Sequence, residues 1–392
     1  MTGVLSRSVA IAGIGATEFS KRSGRSELRL AVEAVLAAVS DAGLEPSDVD
    51  GMVTYTAESS SDIHVARNAG IGELTYFSRV GHGGGAACGT VAHAAAAIAT
   101  GLASVVVCWR AFNERSGERY GLGQADRPVD LSADRAAYSW MTPFGLSTPA
   151  QWVAMFARRY MHDFGATSED FGRVAVLDRK HAATNPAAWF HQRPITLAEH
   201  QESRWIAEPL HLLDCCQETD GGQALVLVSA ERARDLPHVP VQVLAAAQGS
   251  GADQHMMTSY YRSSISGIPE LGLVGEQLWA QSGLRPGDVQ AAILYDHFTP
   301  LVLPQLEELG FCARGEAKDF IRDGQLELDG LLPANTHGGQ LGEAYLHGMN
   351  GIAEAVRLVR GTSVNQPPDV RNVVVTAGTG VPTSGLILGA SE

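Results

Sequence analysis

One internal echo restricts the fold more than anything else in the chain. Ala42-Gly43-Leu44-Glu45-Pro46-Ser47-Asp48-Val49 returns 240 positions later as Ser282-Gly283-Leu284-Arg285-Pro286-Gly287-Asp288-Val289. Each copy ends an amphipathic helix at a glycine and leads through a proline-containing turn into an apolar strand. The same offset sets Tyr55 opposite Tyr295, so both strands finish in a tyrosine. A repeat that carries helix, turn and strand together argues for duplicated halves. With a prior of roughly 100–200 residues per domain, a chain of this length suggests two or three units. The change-over falls at Leu236-Pro237, giving residues 1–237 and 238–392.

In the first half, Val9 to Gly13 reads as a buried strand. Leu28 to Val39 reads as a helix whose Leu28, Val32, Val35, Leu36 and Val39 share an apolar face. Gly13-Ile14-Gly15-Ala16 between them superficially matches a dinucleotide loop, but the third glycine is missing and no helix follows directly. Gly83-Gly84-Gly85 opens an alanine-rich helix, Ala86 to Thr100, followed by the strand Ala103 to Cys108. The second half repeats that order with a glycine loop, the helix Ile352 to Val359 and the strand Val373 to Val375. Both helices are poor in bulky side chains, which suits a helical layer held between two sheets.

From Arg110 the character changes to polar and turn-rich, and residues 112–209 read as an excursion inserted in the first half, with a helix around Ala150 to His162. Its cations, Arg110, Arg115, Arg119, Arg127, Arg135, Arg158-Arg159 and Arg179-Lys180, are either solvated helix faces or groups that meet a phosphate. The acidic turn Asp214 to Gly222 then returns the chain to the core strand Ala224 to Val228.

The net charge of −14 repels phosphate backbones and no concentrated basic run is present, so nucleic acid is excluded as a partner. Five cysteines, Cys88, Cys108, Cys215, Cys216 and Cys312, form no metal-type C-x-x-C pair. With an N-terminus unlike an export signal, they imply reduced thiols in a cytoplasmic setting. The longest weakly polar run, Ala94 to Trp109, is interrupted by Gly101 and shorter than the ~20 residues a spanning helix needs, so no membrane segment is expected.

Asn335 to Gly351, NTHGGQLGEAYLHGMNG, holds five glycines and must pass close to something before the next helix starts, with Tyr345 in its middle. The spacing of Gly338-Gly339, Tyr345-Leu346-His347-Gly348 and Gly351 resembles the C-terminal signature of the thiolase superfamily, glycine-glycine followed by glycine-histidine-proline-x-glycine-x-x-glycine. The frame matches, while the histidine that activates the thiolase nucleophile is replaced by Tyr345. The chain looks like a thiolase-superfamily protein of the lipid-transfer type. That resemblance implies an α/β thiolase fold: two βαβαβαββ halves in a five-layer αβαβα sandwich, with a loop domain inserted in the first half.

The same comparison puts the nucleophile position at about Gly84 and the second cysteine at Thr376, so none of the expected thiolase groups is present. Cys88 lies four residues away and packs more naturally as a small apolar residue than as a displaced nucleophile. The strand-end motif, histidine-aspartate-x-phenylalanine in lipid-transfer relatives, reads Tyr295-Asp296-His297-Phe298. The resemblance brings Tyr295 and Tyr345 to one thioester. Phenols donate and accept protons and do not serve as acylation nucleophiles, and two of them suit a retro-aldol reaction.

GGQLGEAYLHGMNGIAE, LYDHFTP, DCCQETDGG and TAGTGVPTSGLILG together resemble the steroid side-chain aldolases of actinobacterial cholesterol degradation, over essentially the whole chain. The resemblance implies cleavage of a β-hydroxyacyl-CoA steroid into a 17-keto steroid of the androstenedione type and propionyl-CoA. Tyr345 is expected as base and Tyr295 as the group serving the enolate, the reverse assignment being open to the sequence as well, with Asp296 and His347 supporting them. Backbone amides near Gly84 and Gly380 would meet the enolate oxygen, without a metal or any cofactor beyond the coenzyme A of the substrate. It also implies a homodimer joined to the zinc-ribbon and OB-fold domain of a steroid enoyl-CoA hydratase. Two alternatives stand beside it: an acyltransferase of the sterol-carrier thiolase type, and a non-catalytic sterol or acyl-CoA carrier.

Overall fold

The computed structural model describes residues 6–81, 83–117, 139, 141–252, 254, 262–378 and 383–391. In the first half, β1 (Val9–Ala16), α1 (Glu27–Asp41), β2 (Gly51–Tyr55), α2 (Asp62–Ala69), β3 (Tyr76–Val80), α3 (Ala87–Ala99) and β4 (Val105–Asn113) follow one another. An excursion containing α4 (Pro149–Phe164) and α5 (Ser168–Thr184) comes next, and β5 (Asp220–Ser229) closes the half. The second half runs β6 (Val241–Gly249), α6 (Pro269–Ser282), β7 (Ala291–Ile293), α7 (Val302–Glu308), α8 (Met349–Arg360), β8 (Asn372–Ala377) and β9 (Thr383–Ala390).

The strand order β3-β2-β4-β5-β1-β6-β9-β8-β7 shows the duplication directly. Read inward from either end, each half gives the same sequence of strands, except that the third strand of the second half is reduced to one parallel bridge, Ala292 to Ala334. The halves join where β1 and β6 pair antiparallel over two positions, Ala10 with Gln242 and Ile11 with Val241.

Three cores define five layers. The central one places Val91, Ala94 and Ala95 of α3 and Ile352, Val356 and Val359 of α8 between Val106 and Leu225 of the first half and Val243 and Val375 of the second. On the outer face of the first half lie Leu30, Ala34 and Ala38 of α1. Over the outer face of the second half lie Leu271 and Leu278 of α6, joined by Phe156 of α4 and Phe171 and Val174 of α5. The excursion therefore leaves the first half and covers the second. No helix among the described residues is long and apolar enough to cross a membrane.

Three local expectations change. β1 runs through Gly13 and Gly15 to Ala16, so the dinucleotide-like loop is strand. A Cβ on Gly15 would stand 2.1 Å from the Ala38 nitrogen, and one on Gly13 2.2 Å from the Ala38 oxygen, so these glycines let α1 lie directly on the strand. That close approach admits alanines and turns the buried face of α1 to Leu30, Ala31, Ala34, Val35, Ala38 and Val39, leaving Leu36 exposed. β4 also continues five residues past Cys108, which puts Arg110 inside the core and not at the start of the excursion.

Candidate active site

Tyr295 follows β7 by two residues, and its backbone is fixed from both sides. Its N–H is shared between Thr376 Oγ1 at 2.9 Å and Gln305 Oε1 at 3.1 Å, while Gln305 Nε2 donates to its carbonyl at 2.9 Å. Thr376 Oγ1 donates to Gln305 Oε1 at 2.6 Å, so the residue at the expected second-cysteine position holds the strand-end tyrosine. The phenol reaches over Gly84 at the mouth of α3: a Cβ there would stand 1.8 Å from Tyr295 Oη. Tyr295 thus fills the space that any side chain at Gly84 would need.

Tyr345 enters from the glycine loop, its N–H donating to Thr219 Oγ1 at 3.2 Å, and its phenol pairs with the phenol of Tyr295. Burial first, then the neighbouring Tyr295, pushes the Tyr345 pKa well above the ordinary phenol range, so it keeps its proton. Both rings are almost wholly buried.

His347, two residues on, sits at φ +51° in the left-handed region that side chains other than glycine rarely adopt, with Gly348 at +86° after it. Its ring meets Tyr345 edge-on at 5.0 Å between centroids and stacks on Phe112 at 5.1 Å. Arg110 Nε donates to its Nδ1 at 3.2 Å, which places the ring proton of neutral His347 on Nε2. Burial, with Arg110 and His297 beside it, drives its pKa well below the usual imidazole range, so the ring is neutral. Arg110 itself pairs with Glu58 at 2.7 Å, both side chains fully enclosed. Tyr55, the repeat-mate of Tyr295, closes this side by donating its hydroxyl to the His347 carbonyl at 3.4 Å. His297 lies 4.8 Å from the Tyr295 ring and burial lowers its pKa to about 3.

Asp296 works on the loop and not on the phenols. Its carboxylate accepts from the amides of Gln340, at 2.9 and 2.8 Å, and Leu341, at 3.1 Å, capping the short helix Gly339–Gly342 that leads to Tyr345. Asp178 of α5 faces it from the excursion, fully buried. Burial and the charge of Asp296 push the Asp178 carboxyl well above the usual carboxylate range, and burial raises Asp296 as well.

Cys88 is fully buried, its thiol directed at the Val375 carbonyl at 3.8 Å and pushed up by burial, as a packing residue would be. Gly380, Arg119, Arg127 and Arg135 lie outside the described residues. Arg158, Arg159 and Lys180 are paired with Glu208, Asp163 and Glu327 at the surface. Sequence reasoning missed Glu58, Asp178, Gln305 and Glu114, the last a buried acid whose charge acts on Tyr345 and Cys216. Arg110 carried a signal, a charge continuing the apolar run VVVCW; Glu58, within a polar loop, carried none.

Models of known families match both halves: the N-terminal domain of thiolase over residues 9–231 and a thiolase C-terminal domain-like family over 251–389. A steroid side-chain-cleaving aldolase from Thermomonospora curvata is 81% identical over 389 residues, 99% of this chain and 100% of that protein. A 17-hydroxy-3-oxo-4-pregnene-20-carboxyl-CoA lyase from Mycobacterium tuberculosis is 66% identical, over 98% of this chain and 100% of its own length. A solved Ltp2–ChsH2(DUF35) aldolase superposes with a TM-score of 0.95 at 79% identity, covering 98% of each chain.

Proposed function

The chain belongs to the thiolase family, and on that premise we propose that it is a carbon–carbon lyase that cleaves a steroid side chain carried as a coenzyme A thioester. The substrate is a β-hydroxyacyl-CoA with a tertiary hydroxyl on the five-membered ring, and the products are a 17-keto steroid of the androstenedione type and propionyl-CoA. The high-identity relatives named for this cleavage support the reaction. The observation that carries the assignment to residues is the Tyr345–Tyr295 hydrogen bond over a glycine that leaves no nucleophile.

Neither residue rests as a free phenolate in this mechanism. Tyr345 accepts the proton of the tertiary hydroxyl as it passes its own to Tyr295. The hydroxyl oxygen becomes the ring ketone, the bond between ring and side chain breaks, and its electron pair forms the thioester enolate. In the same movement Tyr295, receiving that proton, releases its own to the α-carbon, so atoms and charge balance without a covalent intermediate. Amides near Gly84, at the turn that opens α3, would meet the enolate oxygen. Coenzyme A enters as part of the substrate, and no other cofactor is invoked.

Two partners belong to this reading. The solved Ltp2–ChsH2(DUF35) relative supports assembly with the zinc-ribbon and OB-fold domain of a steroid enoyl-CoA hydratase. A homodimer is supported by β3, which ends the strand order and exposes 60% of Phe77. The free cysteines fit a reducing, cytoplasmic location.

The test incubates the hydroxylated steroid thioester with the protein, with and without the partner domain, and follows propionyl-CoA. Tyr295→Phe and Tyr345→Phe each lower turnover by at least ~100-fold while substrate still binds. Binding without cleavage in every assembly would identify a carrier, and inactivation through alkylation of Cys88 would restore the acyltransferase reading.

A further inference from the structure

Strand β4 is apolar from Val105 to Trp109 and again at Ala111 and Phe112, and one cation, Arg110, interrupts it. Its side chain is buried with that of Glu58, whose carboxylate accepts from Arg110 Nη1 at 2.7 Å and from the Ala111 amide at 3.0 Å. A buried ion pair adds little stability over well-packed apolar side chains of the same volume, so its place in the core asks for another account. The geometry supplies one. While Nη1 holds Glu58, Arg110 Nε donates to His347 Nδ1 at 3.2 Å.

His347 needs holding, because φ +51° is a conformation that a residue with a Cβ keeps only where its neighbours enforce it. Three residues of the first half do so. Arg110 takes the ring nitrogen, Phe112 stacks on the ring at 5.1 Å, and Tyr55 donates to the carbonyl at 3.4 Å. The guanidinium in turn lies over the Phe112 ring at 4.0 Å and the Tyr55 ring at 5.6 Å, so carboxylate, cation and rings pack as one unit. Tyr345 stands two residues before His347 and meets its ring edge-on. The identity of the donor also fixes the state of the imidazole. A guanidinium donates and never accepts, so the Nδ1 that faces it is bare and the ring proton sits on Nε2.

We propose that Glu58 and Arg110 are positioning residues of the cleavage reaction: Glu58 aims the guanidinium, Arg110 fixes the tautomer and the left-handed turn of His347, and that turn sets the Tyr345 phenol against Tyr295. The proposal rests on the lyase reading above and extends it to two residues outside the phenol pair.

Gln and Met at position 110 separate this role from packing, since both match arginine as far as the δ atom and differ in what replaces Nε. Gln puts an amide there and Met a methyl group. Combining each with Glu58→Gln removes both charges together, so that no carboxylate is left buried alone. In the complete enzyme with its partner and the steroid CoA thioester, Glu58→Gln/Arg110→Met lowers kcat about tenfold with KM within about twofold, as for one lost hydrogen bond from a charged donor. Glu58→Gln/Arg110→Gln recovers most of that loss. Nitrogen NMR of protein carrying isotope-labelled histidine shows wild-type His347 bare at Nδ1 and protonated at Nε2, its signals being those absent from His347→Asn, and a mixed pattern in the Met variant. Equal turnover in the Met and Gln variants, a Met variant that melts lower but keeps wild-type turnover, or a wild-type ring protonated on Nδ1 would each overturn the proposal. If the Met variant does not fold, the wild-type spectrum decides, a bare Nδ1 supporting the grip and a protonated one removing it. If wild type binds the thioester without cleaving it, the lyase reading falls, while a tautomer that changes in the Met variant still shows the grip on His347 and an unchanged one abolishes it.

Discussion

Gly84 decides what chemistry this pocket can hold, because the atom it lacks is the one that would collide with Tyr295 Oη. Gly84→Ala therefore puts a methyl group where the phenol lies and forces the ring aside. A displacement of about 1 Å costs on the order of 100-fold in rate, so turnover falls at least that far while the chain still folds; a variant with wild-type turnover would show that Tyr295 is not held over Gly84 during reaction. Residues 84, 295 and 345 could be singled out in the sequence because the resemblance to thiolase motifs marks those positions. Partners brought together by the fold were not legible: Glu58 and Arg110 are 52 positions apart, and only the course of β4 joins them. Asp296 was read as tuning a phenol, because a sequence shows that a carboxylate adjoins Tyr295 and not that Gln340 and Leu341 amides approach it from another segment.

Between elements, the Asp178–Asp296 pair ties α5 of the excursion to the helix that introduces Tyr345. Burial raises both carboxyls, Asp178 above all, so the folded protein keeps a proton that the unfolded chain releases above about pH 3.9. Folding takes up that proton, and stability consequently falls as pH rises from the carboxylate range toward the raised pKa. Asp178→Asn keeps a donor toward Asp296 and cannot ionise. Its melting temperature gains on wild type as pH goes from 5 to 8, by about 2 °C or more in thermal melts. A gap that stays constant or narrows would show that the two carboxyls share no proton. At this scale the repeat made helix, turn and strand readable, but not the buried face of α1, because side-chain periodicity says nothing about glycines on the strand beneath.

For the whole molecule, the strand order makes β3 the outer edge of the first half, and Phe77 stands exposed there. Phe77→Lys places a charge at the point where a second copy would pair along that edge. The homodimer proposed above predicts that wild type sediments as a dimer and the variant as a monomer at the same concentration; equal sedimentation of the two would overturn pairing along this edge. Duplication was visible from one eight-residue echo, whereas the loss of the second half's third strand to a single bridge at Ala334 was hidden, since a bridge has no hydrophobic period to betray it.

The excursion departs and returns on neighbouring strands of the first half, where β4 and β5 pair from Val105 with Val228 to Asn113 with Asp220, yet it roofs the second. A chain built from two like pieces has in this way made them unequal: the later piece cannot complete its own outer wall and borrows it from material already made. Severing the halves would strip the second of Phe156, Phe171 and Val174, so the ancestral symmetry survives in the strands but no longer in what each half can do alone.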